Sequence, residues 1–206
     1  MVLPDSVVKI GEMSFGLPYN GGGYGQVQFM VSSANPAFVS IDCGLYSKDF
    51  KVLYHYSNQA YPLYIPDGLE EIGSCALAGC WDIDSLSLPN TLKKIGNRAF
   101  YKSSLKHLTI PSSLESIGTS AFYETSITSV LLPDAVREIG DSAFYNCFFL
   151  TELRMLQSLE KLGMCAFEYC SINTPLKLPE TLTEIPYRAF YFYFLLFLIV
   201  ANTICL

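Results

Sequence analysis

Residues 105–122 read Leu-Lys-His-Leu-Thr-Ile-Pro-Ser-Ser-Leu-Glu-Ser-Ile-Gly-Thr-Ser-Ala-Phe, and this stretch contains the pattern that decides the fold. Its Ile-Gly-x-x-Ala-Phe ending recurs along the chain, with small variations, at intervals of 22 or 23 residues. The six copies begin at Ile72, Ile95, Ile117, Ile139, Leu162 and Ile185. Self-similarity at this period is typical of a solenoid, in which each short unit buries its apolar face by stacking on its neighbours. The sequence therefore predicts a repeat array.

Each unit begins with a short alternating apolar stretch that ends at proline, as in Leu108-Thr109-Ile110-Pro111. Alternation predicts a strand with one buried face, and proline ends the strand because it has no N–H for the ladder. Ten strand residues are expected to point inward: Leu86, Leu88, Leu108, Ile110, Val130, Leu132, Leu153, Met155, Leu176 and Leu178. We therefore expect a β-rich α/β repeat solenoid.

A second inward pair follows the proline in each unit: Leu69/Ile72, Leu92/Ile95, Leu114/Ile117, Val136/Ile139, Leu159/Leu162 and Leu182/Ile185. The glycine after this pair is expected to need either an unusual backbone angle or a close approach that a Cβ would obstruct. The phenylalanines that follow are expected to stack as a column in the core: Phe100, Phe122, Phe144, Phe167 and Phe190. Two residues break the pattern, since Leu156 occupies a proline slot and Pro186 a glycine slot.

The composition is that of a folded protein, and it excludes one class of partner. Hydrophobic residues make up 50% of the chain and charged residues only 16%, which favours a continuous core over disorder. The net charge is −6 and no Lys/Arg cluster occurs, so we exclude DNA and RNA as main partners. The first residues do not form a secretory signal, because no basic region precedes an apolar one. They read as the middle of a repeat, which predicts an internal piece of a longer protein.

Seven cysteines are the first candidates for chemistry. Cys75/Cys80 and Cys165/Cys170 share a Cys-x4-Cys spacing, but no histidine lies near them and no Cys-x2-Cys occurs, so zinc is not favoured. Cys80, Cys147 and Cys170 occupy one core-facing column, where cysteine acts as a small hydrophobic residue. We expect buried free thiols, and a disulfide between Cys147 and Cys170 stays open for an extracellular chain.

No catalytic, cofactor or metal site is expected. The two histidines are His55, upstream of the repeats, and His107, at an outward strand position. Catalysis by Ser-His-Asp or Cys-His needs a base that a third group holds in a recess, whereas repeat faces are open. The glycine cluster at residues 21–25 does not match Gly-x-Gly-x-x-Gly, because Gln26 occupies the last position. We therefore predict that the chain is not an enzyme and needs no cofactor.

Taken together, these columns resemble the BspA-like leucine-rich repeat family, named for a bacterial surface protein and also found in mucosal protozoa. Its unit runs roughly Leu-x-x-Ile-x-Ile-Pro-x-x-Val-x-x-Ile-Gly-x-x-Ala-Phe-x-x-Cys. Residues 105–122 follow that unit almost throughout, and Cys80, Cys147 and Cys170 fill its cysteine slot. The resemblance extends from Leu63 to near Phe190 and implies a right-handed leucine-rich repeat stack with parallel strands on one face.

A second stretch that resembles this family lies upstream of the repeats, in Asn35-Pro36-Ala37-Phe38, Ile41-Asp42 and residues 45–49, Leu-Tyr-Ser-Lys-Asp. Members of the family often carry such a β-hairpin insert. Here Cys43-Gly44 stands where the family tends to have Gly-Val, and Phe50 occupies a turn where glycine or asparagine is usual. The chain is thus divided into a partial repeat (1–15), a Gly-rich loop (16–30), a hairpin insert (31–62), the repeats (63–190) and an apolar tail (191–206).

The outward strand positions form the candidate binding face. One column contains Ser85, His107, Ser129, Glu152 and Pro175, and the next contains Ser87, Thr109, Leu131, Arg154 and Lys177. Solenoids commonly bind partners on such a face, and the alternative is a solvated sheet face without a ligand. A further column is expected to be a structural ladder of rings with hydroxyls at the rim: Tyr101, Tyr123, Tyr145 and Tyr191.

The apolar tail has three interpretations. From Ala189 to Leu206 the chain is almost wholly hydrophobic and would be about 27 Å long as a helix, enough for a membrane span. Because residues 191–194 begin in the repeat register, a degenerate last repeat is the second interpretation. A sequence altered at a broken gene end is the third. Membrane attachment through the tail therefore stays open.

The expected function is non-catalytic recognition or adhesion. The family resemblance implies display at the cell surface or outside the cell, and a protein ligand such as a host surface or matrix protein. The alternative is a structural or intracellular scaffold fragment, which the missing signal peptide and the lack of an Asn-x-Ser/Thr acceptor favour. A cytoplasmic location therefore stays open.

Overall fold

The structure is a computed structural model that describes residues 1–15, 28–57, 63–155 and 157–191, together with the backbone of residues 198–200 and 203–204. It is a solenoid of about five turns built on parallel strands, and the described residues contain no helix. The strands in chain order are β1 (Val2–Leu3), β2 (Met30–Val31), β3 (Phe38–Ile41), β4 (Gly44–Ser47), β5 (Val52–Tyr56), β6 (Glu71–Ile72), β7 (Ser85–Ser87), β8 (Lys94–Ile95), β9 (His107–Thr109), β10 (Ser116–Ile117), β11 (Ser129–Leu131), β12 (Glu138–Ile139), β13 (Glu152–Arg154), β14 (Lys161–Leu162), β15 (Leu176–Lys177), β16 (Leu198–Val200) and β17 (Thr203–Ile204).

Each complete coil contributes two strands, which form two separate surfaces. Strands β7, β9, β11, β13 and β15 make the strand face, where β7 pairs with β9 and β11 pairs with β13, both in parallel. Strands β6, β8, β10, β12 and β14 form one continuous parallel ladder, the second sheet. The paired positions of the second sheet are equivalent positions of the repeat, as in Ile95↔Ile117. The sequence columns are therefore the physical columns of the solenoid.

A column of stacked phenylalanine rings runs through the core, as predicted. Adjacent ring centroids are 5.1, 4.9, 5.0 and 5.6 Å apart, and the ring planes are within 8° of parallel. The first four rings, Phe100, Phe122, Phe144 and Phe167, are fully buried, and Phe190 at the end of the column is half-buried. One aromatic ring per coil therefore fills the centre of the stack.

Glycine is required after the second inward pair because neighbouring coils approach there too closely for a side chain. A Cβ added at Gly96 would lie 2.8 Å from the backbone of Gly73 and Ser74, and one at Gly118 would lie 2.7 Å from the backbone N of Asn97. Neither glycine has a positive φ. Of the two reasons that the sequence suggested, close approach is therefore the one that applies.

Two positions in each coil have a left-handed backbone although few of them are glycine. The first position precedes the Ala-Phe pair, and its φ lies between 53° and 60° in Cys75, Arg98, Ser120, Ser142, Cys165 and Arg188. The second follows four residues later, in Gly79, Lys102, Glu124, Asn146 and Tyr169. Such conformations cost about 1–3 kcal/mol for residues other than glycine, so the stacking of coils must hold them in place.

The hairpin covers the N-terminal end of the second sheet. Strands β3, β4 and β5 pair in antiparallel fashion, and β5 continues in parallel against β6 with Leu53 opposite Ile72. Asp42 and Cys43 both have positive φ at the β3–β4 turn, and Phe50 has φ 59° at the next turn. Phe50 thus adopts a left-handed conformation that glycine and asparagine take up more readily. The hairpin is the first three strands of an eight-stranded sheet.

A small second core joins the hairpin to the first 15 residues. It is built from Leu3, Phe29, Phe38 and Leu45, which are all buried. Asn35 is also buried, and its amide nitrogen donates to the carbonyls of Pro4 and Val7. Its amide oxygen accepts from the backbone N–H groups of residues 37 and 38. Asn35 therefore fixes the start of the hairpin and fastens the N-terminal segment to it.

The sixth coil is less buried than the five before it. Leu182 is half-buried, and Ile185 is 49% exposed, so the prediction that Ile185 points into the core was wrong. In earlier coils the glycine N–H donates to the preceding coil, as Gly163 does to Ile139 O at 2.8 Å. Pro186 occupies this glycine slot and has no N–H to donate to Leu162 O. The ladder therefore ends at β14.

Part of the apolar tail continues the strand face. β16 pairs in parallel with β15, with Leu198 opposite Leu176, and β17 turns back against β16. No helix in the described part of the chain is long and apolar enough to cross a membrane. The remaining tail residues, the glycines at 21–25 and Leu156 lie outside the described residues, and so do the predictions made for them.

Charges alternate in sign along one edge of the second sheet. This charge ladder consists of Lys51, Glu70, Lys93, Glu115, Arg137 and Glu160, with one residue from each successive coil or from the hairpin. The Nζ atoms of Lys51 and Lys93 lie 2.8 and 3.3 Å from the Glu70 carboxylate, and Arg137 Nε lies 3.9 Å from that of Glu160. Opposite charges on adjacent parallel strands are favourable neighbours, so the ladder favours the observed register.

Candidate binding face

The strand face follows from the alternation of each three-residue strand. In β11, Val130 is buried while Leu131 is exposed and Ser129 is half-buried. In β13, Leu153 is buried while Glu152 and Arg154 are exposed. The register of β11 and β13 sets Ser129 opposite Glu152 and Leu131 opposite Arg154. Each strand therefore adds two outward side chains to the same two columns.

The structure brings all of the predicted face residues to this surface. Eight of the nine are exposed, Ser129 is half-buried, and Pro175 beside them is exposed. The register of β7 and β9 sets Ser85 opposite His107 and Ser87 opposite Thr109. None of the nine side chains makes a hydrogen bond or an ion pair with another described residue: Ser85, Ser87, His107, Thr109, Ser129, Leu131, Glu152, Arg154 and Lys177. Their polar groups are therefore available to a ligand.

The two halves of the strand face differ in chemistry. β7 and β9 present hydroxyls and one imidazole, whereas β13 and β15 present Glu152, Arg154 and Lys177. Leu131 lies at the boundary, and it is 55% exposed in a column that is otherwise polar. An exposed leucine flanked by hydroxyls on one side and cations on the other is suited to a partner with both apolar and charged groups.

The cysteine column lies in the core. Cys80, Cys147 and Cys170 are buried, and the six described cysteines are free. Cys147 Sγ donates to Phe122 O and Cys170 Sγ to Phe144 O, both at 2.9 Å. Burial raises the pKa of Cys170 well above its ordinary value, so its thiol stays protonated. Each of these two thiols tethers its coil to the preceding one.

His55 belongs to the N-terminal core. Its ring packs edge-on against Phe15 and Phe29, with centroids 5.4 and 5.5 Å away, and its Nε2 atom is buried without a hydrogen-bond partner. Burial lowers the pKa of His55 to about 4. The ring borders a cavity of about 140 Å³ that Glu12, Glu71 and Cys75 also line. Within the described ranges, no three His, Cys, Asp or Glu side chains are placed to hold a metal ion.

The tyrosine column is shorter than predicted. Tyr101, Tyr123 and Tyr145 stack with centroids 4.9 and 4.8 Å apart. Tyr191 was expected to extend this stack, but it packs edge-to-face against Tyr169 at 6.1 Å. Glu168 holds the intervening position and interrupts the stack.

Glu168 and Arg188 form an ion pair that the sequence pattern did not reveal. Glu168 is only 2% exposed, and its carboxylate accepts from the Arg188 guanidinium at 3.1 Å. That guanidinium also lies 4.4 Å from the ring centroid of Tyr191. A buried carboxylate is costly unless it is paired, so Arg188 fastens the sixth coil to the fifth. The only signal in the sequence was the glutamate that replaces the column tyrosine.

Comparison with solved structures supports the repeat architecture. The pneumococcal vaccine antigen PcpA is 26% identical over 86% of this chain and 44% of its own length, with a TM-score of 0.71. A leucine-rich repeat protein of T. pallidum is 22% identical over 72% of this chain and 71% of its own, and one from Eubacterium ventriosum is 24% identical over 86% and 41%. Both have a TM-score of 0.56 and show the fold alone. The chain therefore spans less than half of PcpA.

Comparison by sequence gives the family. No curated protein matches the chain significantly. The model of the BspA type leucine-rich repeat region matches six copies over residues 52–174, which is more than half of the chain. The matched region begins with β5, so it includes the last hairpin strand as well as the coils. The chain belongs to the BspA-type leucine-rich repeat family.

Proposed function

We propose that the chain is a non-catalytic protein-binding or adhesion module that contacts a protein ligand through its strand face. The observation that carries this proposal is the set of nine outward side chains that make no hydrogen bond or ion pair with the described residues around them. Within the described residues, the fold therefore makes no polar contact through these side chains. They can therefore vary with the ligand while the buried columns keep the coils stacked.

The family supports the same proposal at a coarser level. BspA-type leucine-rich repeat proteins are generally non-catalytic and typically surface-associated. An array of coils presents a continuous surface, which suits contact with another macromolecule better than enclosure of a small one. We therefore propose a location at the cell surface or outside the cell, with a host surface or matrix protein as the ligand.

A peptide library displayed on phage and selected against the purified chain tests this function. Selected peptides are then measured against a strand-face variant, Leu131→Asp/Arg154→Glu, which changes the chemistry of two exposed positions of the face. We expect about a tenfold or greater loss of affinity, the effect of losing one or two interface anchors. Circular dichroism should be unchanged, because both side chains are exposed.

The matched control is Lys161→Glu, a change of charge at an exposed position of the second sheet. It should leave the affinity of the selected peptides unchanged. Peptides that bind the strand-face variant as well as they bind the wild-type chain would overturn the proposal. That result would favour the scaffold alternative, in which the strand face is only solvated.

A further inference from the structure

Three neighbouring residues of the outer column set one part of the strand face apart. Leu131, Arg154 and Lys177 occupy this column in three successive coils, and all three are exposed. Leu131 pairs with Arg154 across the β11–β13 ladder. We call these three residues the cationic patch. It combines one apolar side chain with two adjacent positive charges.

The two cations of this patch differ from more than half of the other cations in the described chain, which are held in ion pairs. Elsewhere the described chain holds many of its cations in ion pairs, as between Lys94 and Glu71 at 2.9 Å or Lys106 and Asp84 at 2.6 Å. Among the described residues, neither Arg154 nor Lys177 has a carboxylate within 4.0 Å. Two like charges in adjacent coils repel each other, so the fold gains nothing from this arrangement. An anionic ligand would remove that repulsion.

Glu152 limits where an anionic group can lie. It precedes Arg154 by two residues on β13 and therefore belongs to the neighbouring column, opposite Ser129. Its carboxylate repels acidic groups from that column, while the outer column attracts them. A ligand with successive carboxylates is thus directed along the outer column, parallel to the solenoid axis. Its apolar end would then lie on Leu131.

We propose that the cationic patch binds an extended acidic segment of the protein ligand, with an apolar residue on Leu131 and carboxylates on Arg154 and Lys177. This inference rests on the proposed function and specifies the chemistry of the partner. Arg154 can hold a carboxylate through two parallel N–H donors, and Lys177 supplies a point charge beside it. The net charge of −6 opposes the approach of an acidic segment, so affinity depends on these short-range contacts.

Fluorescence anisotropy with three labelled probes tests this proposal on the full chain. The probes are a Gly-Leu-Glu-Asp-Glu-Gly peptide, its uncharged counterpart with glutamine and asparagine, and a sulfated heparin-derived oligosaccharide. We expect the acidic peptide to bind and the uncharged one to bind at least about tenfold more weakly. Arg154→Gln and Lys177→Gln should each weaken the acidic peptide by about tenfold. Added salt should weaken it further.

Lys161→Gln is the matched control, because Lys161 is an exposed cation outside the strand face that also has no ion pair in the described chain. It should leave binding unchanged. The melting temperature of Arg154→Gln should be equal to or higher than that of the wild-type chain, since a repulsion is removed. A residue with a structural role would lower it instead.

Several outcomes would overturn the inference. The acidic peptide fails to bind, Lys161→Gln weakens it as much as Arg154→Gln does, or only the sulfated oligosaccharide responds to the patch variants. If library peptides lose binding to the Leu131→Asp/Arg154→Glu variant but carry no acidic residues, the proposed function stands and the acidic segment is rejected. If the library peptides bind the strand-face variant as well as the wild-type chain and the acidic peptide does not bind, both the proposed function and the acidic segment are rejected.

Discussion

Leu53 and Leu162 lie at opposite ends of one inward column of the second sheet, and their surroundings differ. Leu53 is fully buried, because β5 is paired with β6 on one side and with β4 on the other. Leu162 is half-buried, because β12 covers one side and the next coil, which has Pro186 in place of glycine, adds no strand on the other side. The same residue type in the same column is thus enclosed at one end of the described array and open at the other.

This difference shows that burial in a solenoid is set by the next layer rather than by the residue itself. The hairpin provides that layer at the N-terminal end, with Asn35 and the second small core fastening it in place. Solenoids need such terminal caps, because an uncovered coil leaves its apolar column and its ladder groups facing water. Four predictions follow the contrast between the two ends, from the largest effect to the smallest.

Leu53→Ala and Leu162→Ala compare the two ends directly. Leu53→Ala should lower the free energy of unfolding by about 2–5 kcal/mol, because it leaves a cavity between the hairpin and the first coil. Leu162→Ala should cost about 1 kcal/mol, since half-buried leucine loses less apolar burial and its site can relax. Urea unfolding followed by circular dichroism measures both. Equal losses would mean that the two ends are equally enclosed.

Asn35→Ala should break the N-terminal end. The change leaves three backbone groups without a partner, the Val7 carbonyl and the N–H groups of residues 37 and 38, whereas the Pro4 carbonyl still accepts from the Val7 N–H. Each buried unpaired group costs about 1–3 kcal/mol, and we expect about 3 kcal/mol in total because water reaches some of them. Asn35→Asp is the matched variant, since it keeps the acceptor for residues 37 and 38 but loses the donor to Pro4 and Val7. Limited proteolysis should release the first 15 residues from both. Resistance of the Asp variant would locate the attachment elsewhere.

Acid should loosen the N-terminal end through His55. Its folded-state pKa of about 4 is below the ordinary value of 6.5, so the unfolded chain takes up the proton first as the pH falls. The contribution of neutral His55 to the free energy of unfolding is fully present above pH 6.5. It should fall by about 3 kcal/mol between pH 6.5 and 4. His55→Phe should remove that part of the slope, whereas His107→Phe at an exposed position should not. Urea unfolding at several pH values measures the slope, and an unchanged slope in His55→Phe would contradict the assignment.

Pro186→Gly should make the C-terminal end resemble the coils before it. Glycine restores the N–H that earlier coils donate to the preceding coil, and one such hydrogen bond contributes about 1 kcal/mol. The greater freedom of glycine in the unfolded chain offsets most of that gain, so the net stabilisation should be below about 0.5 kcal/mol. Amide hydrogen exchange is the sensitive measurement, because Ile185 and the new glycine should become protected. Pro186→Ala should not become protected, because the close approach that earlier coils make at this position requires glycine: a Cβ at Gly163 would lie 2.3 Å from the backbone of Gly140 and Asp141.

Much of the fold could be predicted from the sequence because its determinants repeat. The phenylalanine plugs, the inward strand residues and the close-approach glycines recur in five or six coils, and each recurrence supports the others. The cap could not be predicted in this way, because it occurs once. Val52 pairs with Glu71, and the number of residues between them differs from the repeat interval. Only the segment Lys51-Val52-Leu53 occupies the same place in the sheet as the repeat segment Glu70-Glu71-Ile72. The prediction for Ile185 was wrong because the repeat pattern shows which positions are apolar, whereas burial also depends on a following coil that covers them.

The candidate binding face was also predictable only in part. Alternation along each strand predicted which side chains point outward, and the structure places them on one surface. Whether a cation on that surface is paired depends on carboxylates in other coils, which no local pattern reports. The sequence around Arg154 and Lys106 does not show which of them is paired. In the structure Lys106 is paired with Asp84, and Arg154 is not paired with any described residue. Recognition of the cationic patch therefore required the structure.

The charge ladder of the second sheet also gives the array a parity. Because its signs alternate from coil to coil, removing one coil would join Glu70 to Glu115 or Lys93 to Arg137 and set like charges together. Removing or adding two coils would keep opposite charges next to each other along this ladder. Slippage by one unit during folding meets the same penalty, whereas slippage by two does not. A change of length by two coils therefore keeps the alternating signs of this ladder, whereas a change by one coil does not.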